Sequence, residues 1–126
     1  MNLTEKGNTV LNKIIEIINE KKGENIKVLK VSQLTTIADY IIIVSGNSNR
    51  QLIAITEEIE KKLKKMKRKP LSVVGKANAE WILMDYNDIL INIFLTKTRD
   101  YYNLEELWER DDNCISLQKF GIQGQE

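Results

Sequence analysis

The 126-residue chain carries 19 basic and 18 acidic residues, one cysteine and no histidine, and its net charge is +1. A chain of this length buries a full core as one domain, but the missing histidine excludes Ser/His/Asp and Cys/His catalysis and removes the commonest metal ligand. Cys114 cannot form an internal disulfide, and no apolar run approaches the ~18 residues of a membrane span, so a cytoplasmic protein is expected.

The first predicted elements are one amphipathic helix and two strands. Apolar residues at helical spacing predict a helix over residues 4–22 that ends at Gly23. NIKVLKVS at 25–32 alternates apolar and polar residues with one slip, which predicts a strand. YIIIVS at 40–45 is apolar on both faces, which predicts a strand in the middle of the sheet, covered by two layers.

The segment IIIVSGNSNRQ at 41–51 passes from a strand through Gly46 into a helix, as a phosphate-binding loop does. It lacks the lysine of a P-loop and the repeated glycines of a dinucleotide-binding loop. Ser48 and Gln51 instead match a capping box, so we interpret the loop as the start of a helix. This helix is expected to run until Pro70, and PLSVVG at 70–75 to form a parallel neighbouring strand of a right-handed βαβ unit.

The segment WILMDYNDILINIFL at 81–95 predicts a β-hairpin that turns at Asn87 and Asp88. A two-residue loop places Tyr86 opposite Ile89 and turns one wholly apolar face toward the core. The other face mixes apolar and polar residues, and its pairs are Trp81 with Phe94, Leu83 with Asn92, and Asp85 with Leu90. Such a face is either covered by a helix or contacts a partner, and Trp81 fits both a core position and a binding anchor.

The last predicted element is a short helix capped by Asn103 and Glu106. Apolar periodicity ends after Glu109, which predicts a domain at 1–110 and a loosely ordered C-terminal tail at 111–126. The predicted fold is α/β, a single domain with a mixed five-stranded β-sheet and helices packed on it.

Charge is segregated along the chain. Seven of the nine residues from Lys61 to Lys69 are basic, whereas 99–126 holds three basic and seven acidic residues. The basic run suits the phosphates of RNA. A solvated helix face is the simpler interpretation, because no aromatic residue lies within the run for base stacking.

Asp85 and Asp88 are the only close candidates for the strand-borne carboxylates that a metal-dependent nucleotidyltransferase would use. A strand, glycine, serine and helix in this order resemble nucleotidyltransferases, whose metal ions bind carboxylates on adjacent strands. Both aspartates flank a tight turn, however, where carboxylates accept hydrogen bonds from the N–H groups of the turn. We predict no catalytic residue, metal or cofactor, and the nucleotidyltransferase stays the alternative. The acidic neighbours of Cys114 disfavour a reactive thiolate there.

Three longer segments resemble the Iojap family, the bacterial ribosomal silencing factors: ADYIIIVSGNSNRQ at 38–51, WILMDYNDILINIF at 81–94 and RDYYNLEELW at 99–108. The resemblance covers residues 8–108 in family order. It implies an α/β domain distantly similar to nucleotidyltransferases but without their active site, usually a homodimer. It also implies binding to the large ribosomal subunit through large-subunit ribosomal protein fourteen, which blocks joining with the small subunit and represses translation when nutrients are short.

The family motif is matched at Asp39, Tyr40, Gly46, Ser48, Gln51, Trp81, Asp85, Tyr86, Asp88, Tyr102, Leu104, Glu105, Leu107 and Trp108. The chain departs from it at Asn87, where the family usually has a glycine, and at Asn92, where it often has a histidine. Asn87 can still adopt a positive φ, whereas a contact made through that histidine is not expected to carry over. The predicted partner-binding residues are Trp81, Leu83, Asp85, Tyr86, Asp88, Tyr102, Glu105 and Trp108, with ribosomal RNA as a candidate contact of Lys61 to Lys69.

Overall fold

The computed structural model describes residues 8–122, which form a five-stranded sheet with helices on it. The strand order is β1-β2-β5-β4-β3; β2 and β5 are parallel and the other neighbouring pairs are antiparallel. The predicted single α/β domain with a mixed five-stranded sheet is therefore confirmed. The elements are α1 (Thr9–Glu20), β1 (Glu24–Lys30), β2 (Tyr40–Gly46), α2 (Asn49–Lys65), β3 (Ser72–Val74), β4 (Trp81–Asp85), β5 (Ile89–Leu95), α3 (Thr96–Tyr102), α4 (Leu104–Trp108) and a 3-10 helix (Leu117–Phe120).

Both long helices are followed by a lysine with left-handed backbone. After α1 this residue is Lys22, with φ 66°, and the N–H of Gly23 then donates to the Ile18 carbonyl at 2.8 Å. A glycine is required at position 23 for a steric reason and not for its backbone conformation, since a Cβ there would lie 2.6 Å from the Ile18 side chain. Lys67, with φ 64°, follows α2, which ends before Pro70. The predictions that Gly23 and Pro70 stop the helices are therefore wrong.

The predicted cap at the start of α2 is confirmed, with one change. The Ser48 hydroxyl accepts a hydrogen bond from the Gln51 N–H at 3.0 Å. The Gln51 side chain accepts from the N–H of Asn47 at 2.7 Å rather than from that of Ser48. Its amide nitrogen donates to the carbonyls of Lys21 and Lys22, at 3.0 Å each. Gln51 thus ties the end of α1 to the start of α2.

Two predictions about the sheet are wrong. Strand β2 is buried along its whole length, but β5 occupies the middle of the sheet and β2 lies beside it. Strand β3 does not neighbour β2, because β5 and β4 lie between them and β3 pairs antiparallel with β4. Burial on both faces shows that a strand is covered by two layers, and it does not fix the position of the strand in the sheet.

The two faces of the sheet are covered unequally. Helices α1 and α2 pack on one face and bury the main core with residues such as Ile15, Ile42 and Ile91. The opposite face carries a smaller buried cluster of Leu29, Val31, Ile41, Ile43 and Phe94, against which Trp81, Leu90, Leu104 and Trp108 are partly buried. That second face is consequently only partly covered.

The helices after β5 carry weak sequence signals. Helix α3 starts at Thr96, its N-cap residue Leu95 supplies no side-chain hydrogen bond, and the sequence did not predict this helix. Asn103 precedes α4 with a left-handed φ of 47°, and its side chain makes no capping hydrogen bond. The predicted cap by Asn103 and Glu106 is therefore wrong.

Residues 111–122 are part of the fold. Cys114 forms a β-bridge with Leu29 on the edge strand β1, so the segment covers that edge. Ile115, Leu117 and Ile122 are buried in the main core. The expected loose tail does not hold for residues 111–122, because these side chains pack although they follow no helix or strand period. Residues 123–126 lie outside the described part of the chain.

Candidate partner-binding surface

The hairpin of β4 and β5 has the predicted register. Leu83 lies opposite Asn92, and the pairs on either side of it follow the same count. In the turn, Asn87 has φ 76°, and its N–H donates to the Asp85 carboxylate at 2.8 Å. The N–H of Tyr86 donates to the Ile89 carbonyl at 2.9 Å. The face that mixes apolar and polar residues is therefore the second, partly covered face of the sheet.

Trp81 lies at the centre of an aromatic cluster on this face. Its ring stacks on Phe94, with centroids 4.9 Å apart, and contacts Tyr102 at 4.8 Å. Tyr101 meets Tyr102 edge to face at 5.1 Å. The indole N–H of Trp81 donates to the side-chain oxygen of Asn92 at 3.0 Å, which fixes the plane of the ring. We call Trp81, Phe94, Tyr101 and Tyr102 the aromatic cluster.

A buried arginine holds α3 and α4 against the sheet. Arg99 is 6% exposed. Its guanidinium donates to the Ser45 hydroxyl at 2.8 Å and, through two nitrogens, to one Glu105 oxygen at 2.8 and 2.9 Å. Glu105 is therefore occupied within the fold. The roles of Arg99 and Ser45 are not predictable from the sequence, since nothing in the local pattern shows that an arginine after β5 reaches β2.

The part of the second face near the hairpin turn is open. Leu83, Asp85 and Leu90 are half-buried there, and Val74 of β3, which pairs with Leu83, is 58% exposed. We call Val74, Trp81, Leu83, Asp85 and Leu90 the open face. It adjoins the aromatic cluster through Trp81.

The structure brings together four of the eight predicted partner-binding residues: Trp81, Leu83, Asp85 and Tyr102 lie at the open face or in the aromatic cluster. Trp108 is half-buried against the smaller buried cluster on the second face of the sheet. Asp88 lies at the turn, where its carboxylate accepts from Arg68 at 2.7 Å. Tyr86 is removed from the set, because strand alternation turns it into the core, where it is 2% exposed.

Burial gives Tyr86 a distinctive titration. Its hydroxyl has no hydrogen-bond partner among the described residues. Burial, with a smaller contribution from the negative charge of Glu60, raises the pKa of Tyr86 to about 12. Tyr86 is therefore a neutral core residue at physiological pH.

Two backbone N–H groups of the Gly46 loop, and both candidate carboxylates, are already bonded within the protein. The N–H groups of Asn47 and Gln51 in the Gly46 loop donate to side chains. Asp85 accepts from its own turn and Asp88 pairs with Arg68. Within residues 8–122 no group of three or more Cys, Asp or Glu side chains is placed to hold a metal ion.

A small mixed α/β domain with an aromatic cluster beside an open sheet face has the features of a binding protein. The family model described as ribosomal silencing factor during starvation matches residues 4–126. A ribosomal silencing factor from Chromobacterium violaceum is 35% identical over 94 residues, which cover 75% of this chain and 77% of that protein. The chain belongs to the ribosomal silencing factor family, whose members are ribosome-associated regulators and not enzymes. This overturns the nucleotidyltransferase alternative.

Two further comparisons agree. A crystal structure of a protein from Chromobacterium violaceum superposes with a TM-score of 0.76 at 30% identity, over 90% of this chain and 96% of that one. A mouse protein named mitochondrial assembly of ribosomal large subunit protein 1 is 29% identical over 98 residues, which are 75% of this chain and 43% of that protein. In the described part of the chain, no helix combines the length and apolar character that crossing a membrane requires.

Proposed function

We propose that this chain binds the large ribosomal subunit through large-subunit ribosomal protein fourteen and sterically blocks joining with the small subunit. Translation in the cytoplasm is thereby repressed under nutrient limitation. Family membership supports a ribosomal role, and the mouse relative is named for the large subunit. The observation that carries the proposal is the aromatic cluster beside Asp85 on the open face.

The aromatic cluster has the properties of an interface centre. Tyr101 and Tyr102 are 83% and 53% exposed, although both rings are large and apolar. Trp81 is held by stacking and by Asn92, so little side-chain entropy is lost when a partner covers it. Interfaces concentrate their binding free energy in tryptophan and tyrosine side chains of this kind. Asp85 adds a carboxylate, which complements a basic ribosomal protein.

Arg99 supports the same surface from beneath. The ion pair with Glu105 and the bond to Ser45 join α3, α4 and β2. Tyr102 ends α3 and Trp108 ends α4, so both side chains depend on this buried arginine for their positions. The surface is therefore preorganised before a partner binds.

The mechanism is exclusion of volume and requires no chemical step. A compact domain of 126 residues has a radius of gyration of about 14 Å. Bound on the face of the large subunit that meets the small subunit, such a body keeps the two subunits apart. Repression then depends only on affinity and on the concentration of the protein.

Sucrose-gradient sedimentation of purified subunits tests the proposal. We expect the parent protein to migrate with large subunits and to lower the yield of whole ribosomes. Trp81→Ala should weaken binding by about thirtyfold, since an interface-centre aromatic contributes ~2 kcal/mol or more. Trp81→Phe, which keeps the stack on Phe94, should lose less, and Leu34→Ala on an exposed loop should behave like the parent.

Thermal unfolding of each variant separates folding from binding. Trp81 is half-buried, so Trp81→Ala also lowers stability, and binding must be compared at a temperature where every variant is folded. Unchanged yields of whole ribosomes at saturating parent protein would refute the proposed block. If folded Trp81→Ala protein binds like the parent, the contact lies elsewhere.

We also propose that the chain forms a homodimer, as the family resemblance implies. Within residues 8–122 no strand pairs with the outer edge of β3, and Leu71 and Val74 beside that edge are 70% and 58% exposed. An edge with exposed apolar side chains is suited to pairing with a second copy. Sedimentation equilibrium should give twice the monomer mass, and Val74→Lys should shift the protein toward monomer. A monomeric parent at micromolar concentration would refute the dimer.

A further inference from the structure

The basic segment (Lys61–Lys69) leaves most of its charge unpaired. Lys62 lies 3.8 Å from Glu58, and Arg68 pairs with Asp88. The other five cations are exposed and form no ion pair with a described residue; they are Lys61, Lys64, Lys65, Lys67 and Lys69. Like charges at this density repel one another, and a bound polyanion relieves that repulsion.

Arg68 fixes the basic segment to the hairpin turn. One guanidinium nitrogen donates to the Tyr86 carbonyl at 3.0 Å and to the Asp88 carboxylate at 2.7 Å. Asp85 of the open face lies in the same turn. The end of the basic segment therefore reaches the hairpin turn through Arg68, whereas Lys61, Lys64 and Lys65 lie on α2, which packs on the sheet face opposite the open face.

The geometry of the lysines suits contacts to successive anionic groups. Lys61, Lys64 and Lys65 have the three- and four-residue spacing that places side chains on one side of a helix. The left-handed Lys67 then ends the helix and carries the chain on to Lys69. Exposed cations thus continue in the chain past the end of α2.

Two other kinds of polyanion contact fit the segment less well. Insertion into an anionic membrane requires an exposed apolar helix face. The apolar side chains of α2, among them Ile59 and Leu63, are fully buried against the sheet. Stacking on nucleobases requires aromatic side chains, and the segment has none. What remains is contact between exposed ammonium groups and phosphates, which depends little on sequence.

We infer that the basic segment binds the sugar-phosphate backbone of structured RNA in the large ribosomal subunit. The location of that RNA rests on the proposed function. The chemistry of the contact rests on the segment itself. The open face then provides specificity, and the basic segment provides affinity that falls as salt rises.

The test compares the parent protein with a triple variant, Lys61→Gln, Lys64→Gln and Lys65→Gln. A matched control, Lys21→Gln, Lys22→Gln and Lys119→Gln, removes three exposed charges elsewhere. Binding to protein-free large-subunit RNA and to intact large subunits is measured from 50 to 300 mM salt. We expect each lost phosphate contact to weaken RNA binding by about fivefold at 0.15 M salt and to reduce the salt slope by about 1, whereas the control keeps the parent's slope.

Binding to protein-free RNA and to intact subunits, measured also for Trp81→Ala, separates failure of this inference from failure of the proposed function. Trp81→Ala should bind protein-free RNA like the parent, so its loss on intact subunits alone reports on the proposed function. Equal RNA affinity and equal salt slope for the parent and the triple variant would overturn the inference. So would weaker binding to intact subunits with unchanged RNA binding, since the lysines would then contact protein. Tighter binding of the parent to anionic lipid vesicles than to RNA would also overturn it.

Discussion

Buried polar side chains decide how the exposed aromatic residues are held. Asn92 is 3% exposed and accepts the indole N–H of Trp81, in the position where the family often has a histidine. The asparagine oxygen supplies an acceptor there, so this departure from the family motif is compatible with an oriented tryptophan. Arg99 likewise fixes the position of Glu105, and of the chain around it, through an ion pair. If the aromatic cluster binds the ribosome as proposed, recognition depends also on buried residues that the partner does not contact.

The raised pKa of Tyr86 should cause a measurable loss of folding stability at alkaline pH. Its pKa of about 12 in the folded protein lies above the unfolded value of about 10, so the folded state retains the proton longer. The contribution of the neutral Tyr86 phenol to the free energy of unfolding is fully present below about pH 10. It is lost as pH rises toward 12, at up to about 1.4 kcal/mol per pH unit. Urea unfolding of the parent and Tyr86→Phe between pH 8 and 11.5 measures it.

Tyr86→Phe serves as the reference because it removes the titrating group and a hydroxyl with no described partner. At pH 8 we expect this variant to be as stable as the parent, or more stable by up to about 1 kcal/mol. The two stability curves should separate further above pH 10. Parallel curves would contradict the buried, neutral phenol, and a loss of large-subunit binding by the variant would return Tyr86 to the contact set.

At the scale of elements, Gln51 joins two helices and should matter more than Ser48. Ser48→Ala removes one helix cap, which costs about 1 kcal/mol. Gln51→Ala removes an acceptor for Asn47 and two bonds to the end of α1, so we expect a loss of about 2 kcal/mol. Urea unfolding measures both, and Arg50→Ala, an exposed neighbour, should change stability little.

Ribosome binding by the same variants tests whether the Gly46 loop contacts the large subunit. Because Ser48 and Gln51 bond to backbone groups within the fold, Ser48→Ala and Gln51→Ala should bind large subunits normally below their melting points. A variant that melts like the parent but no longer binds would make the loop a contact surface.

Sequence predicted the elements whose structure is set locally. The register of β4 and β5 follows from loop length and period-two alternation, and it was correct pair by pair. The neighbours of β2 and β3 are long-range choices that no local period specifies. The Arg99 ion pair and the burial of Ile115 also join distant parts of the chain. The open face was therefore predictable from the sequence, whereas the long-range contacts that hold the surrounding helices and the C-terminal segment in place were not.

For the whole molecule, charge is arranged around the open face. The basic segment reaches the hairpin turn through Arg68, and among the acidic residues after α3, Glu105 pairs with Arg99 and Glu109 with Lys27 on the edge strand β1. Asp85 is the acidic residue that lies on the open face itself. Opposite charges placed in this way orient the protein during encounter and act mainly on the association rate.

Asp85→Asn should slow association with large subunits without destabilising the hairpin. The asparagine oxygen can still accept from the Asn87 N–H, so the turn is kept while the charge is removed. We expect the association rate constant to fall by about two- to fivefold at low salt, because attraction to a basic partner is lost. The difference should shrink as salt rises, since the screening length falls from about 10 Å at 0.1 M to about 3 Å at 1 M. Asp112→Asn, near β1 and away from the open face, is the control, and stopped-flow binding resolves the two rates. Equal slowing by both variants would mean that net charge, and not the position of Asp85, steers binding.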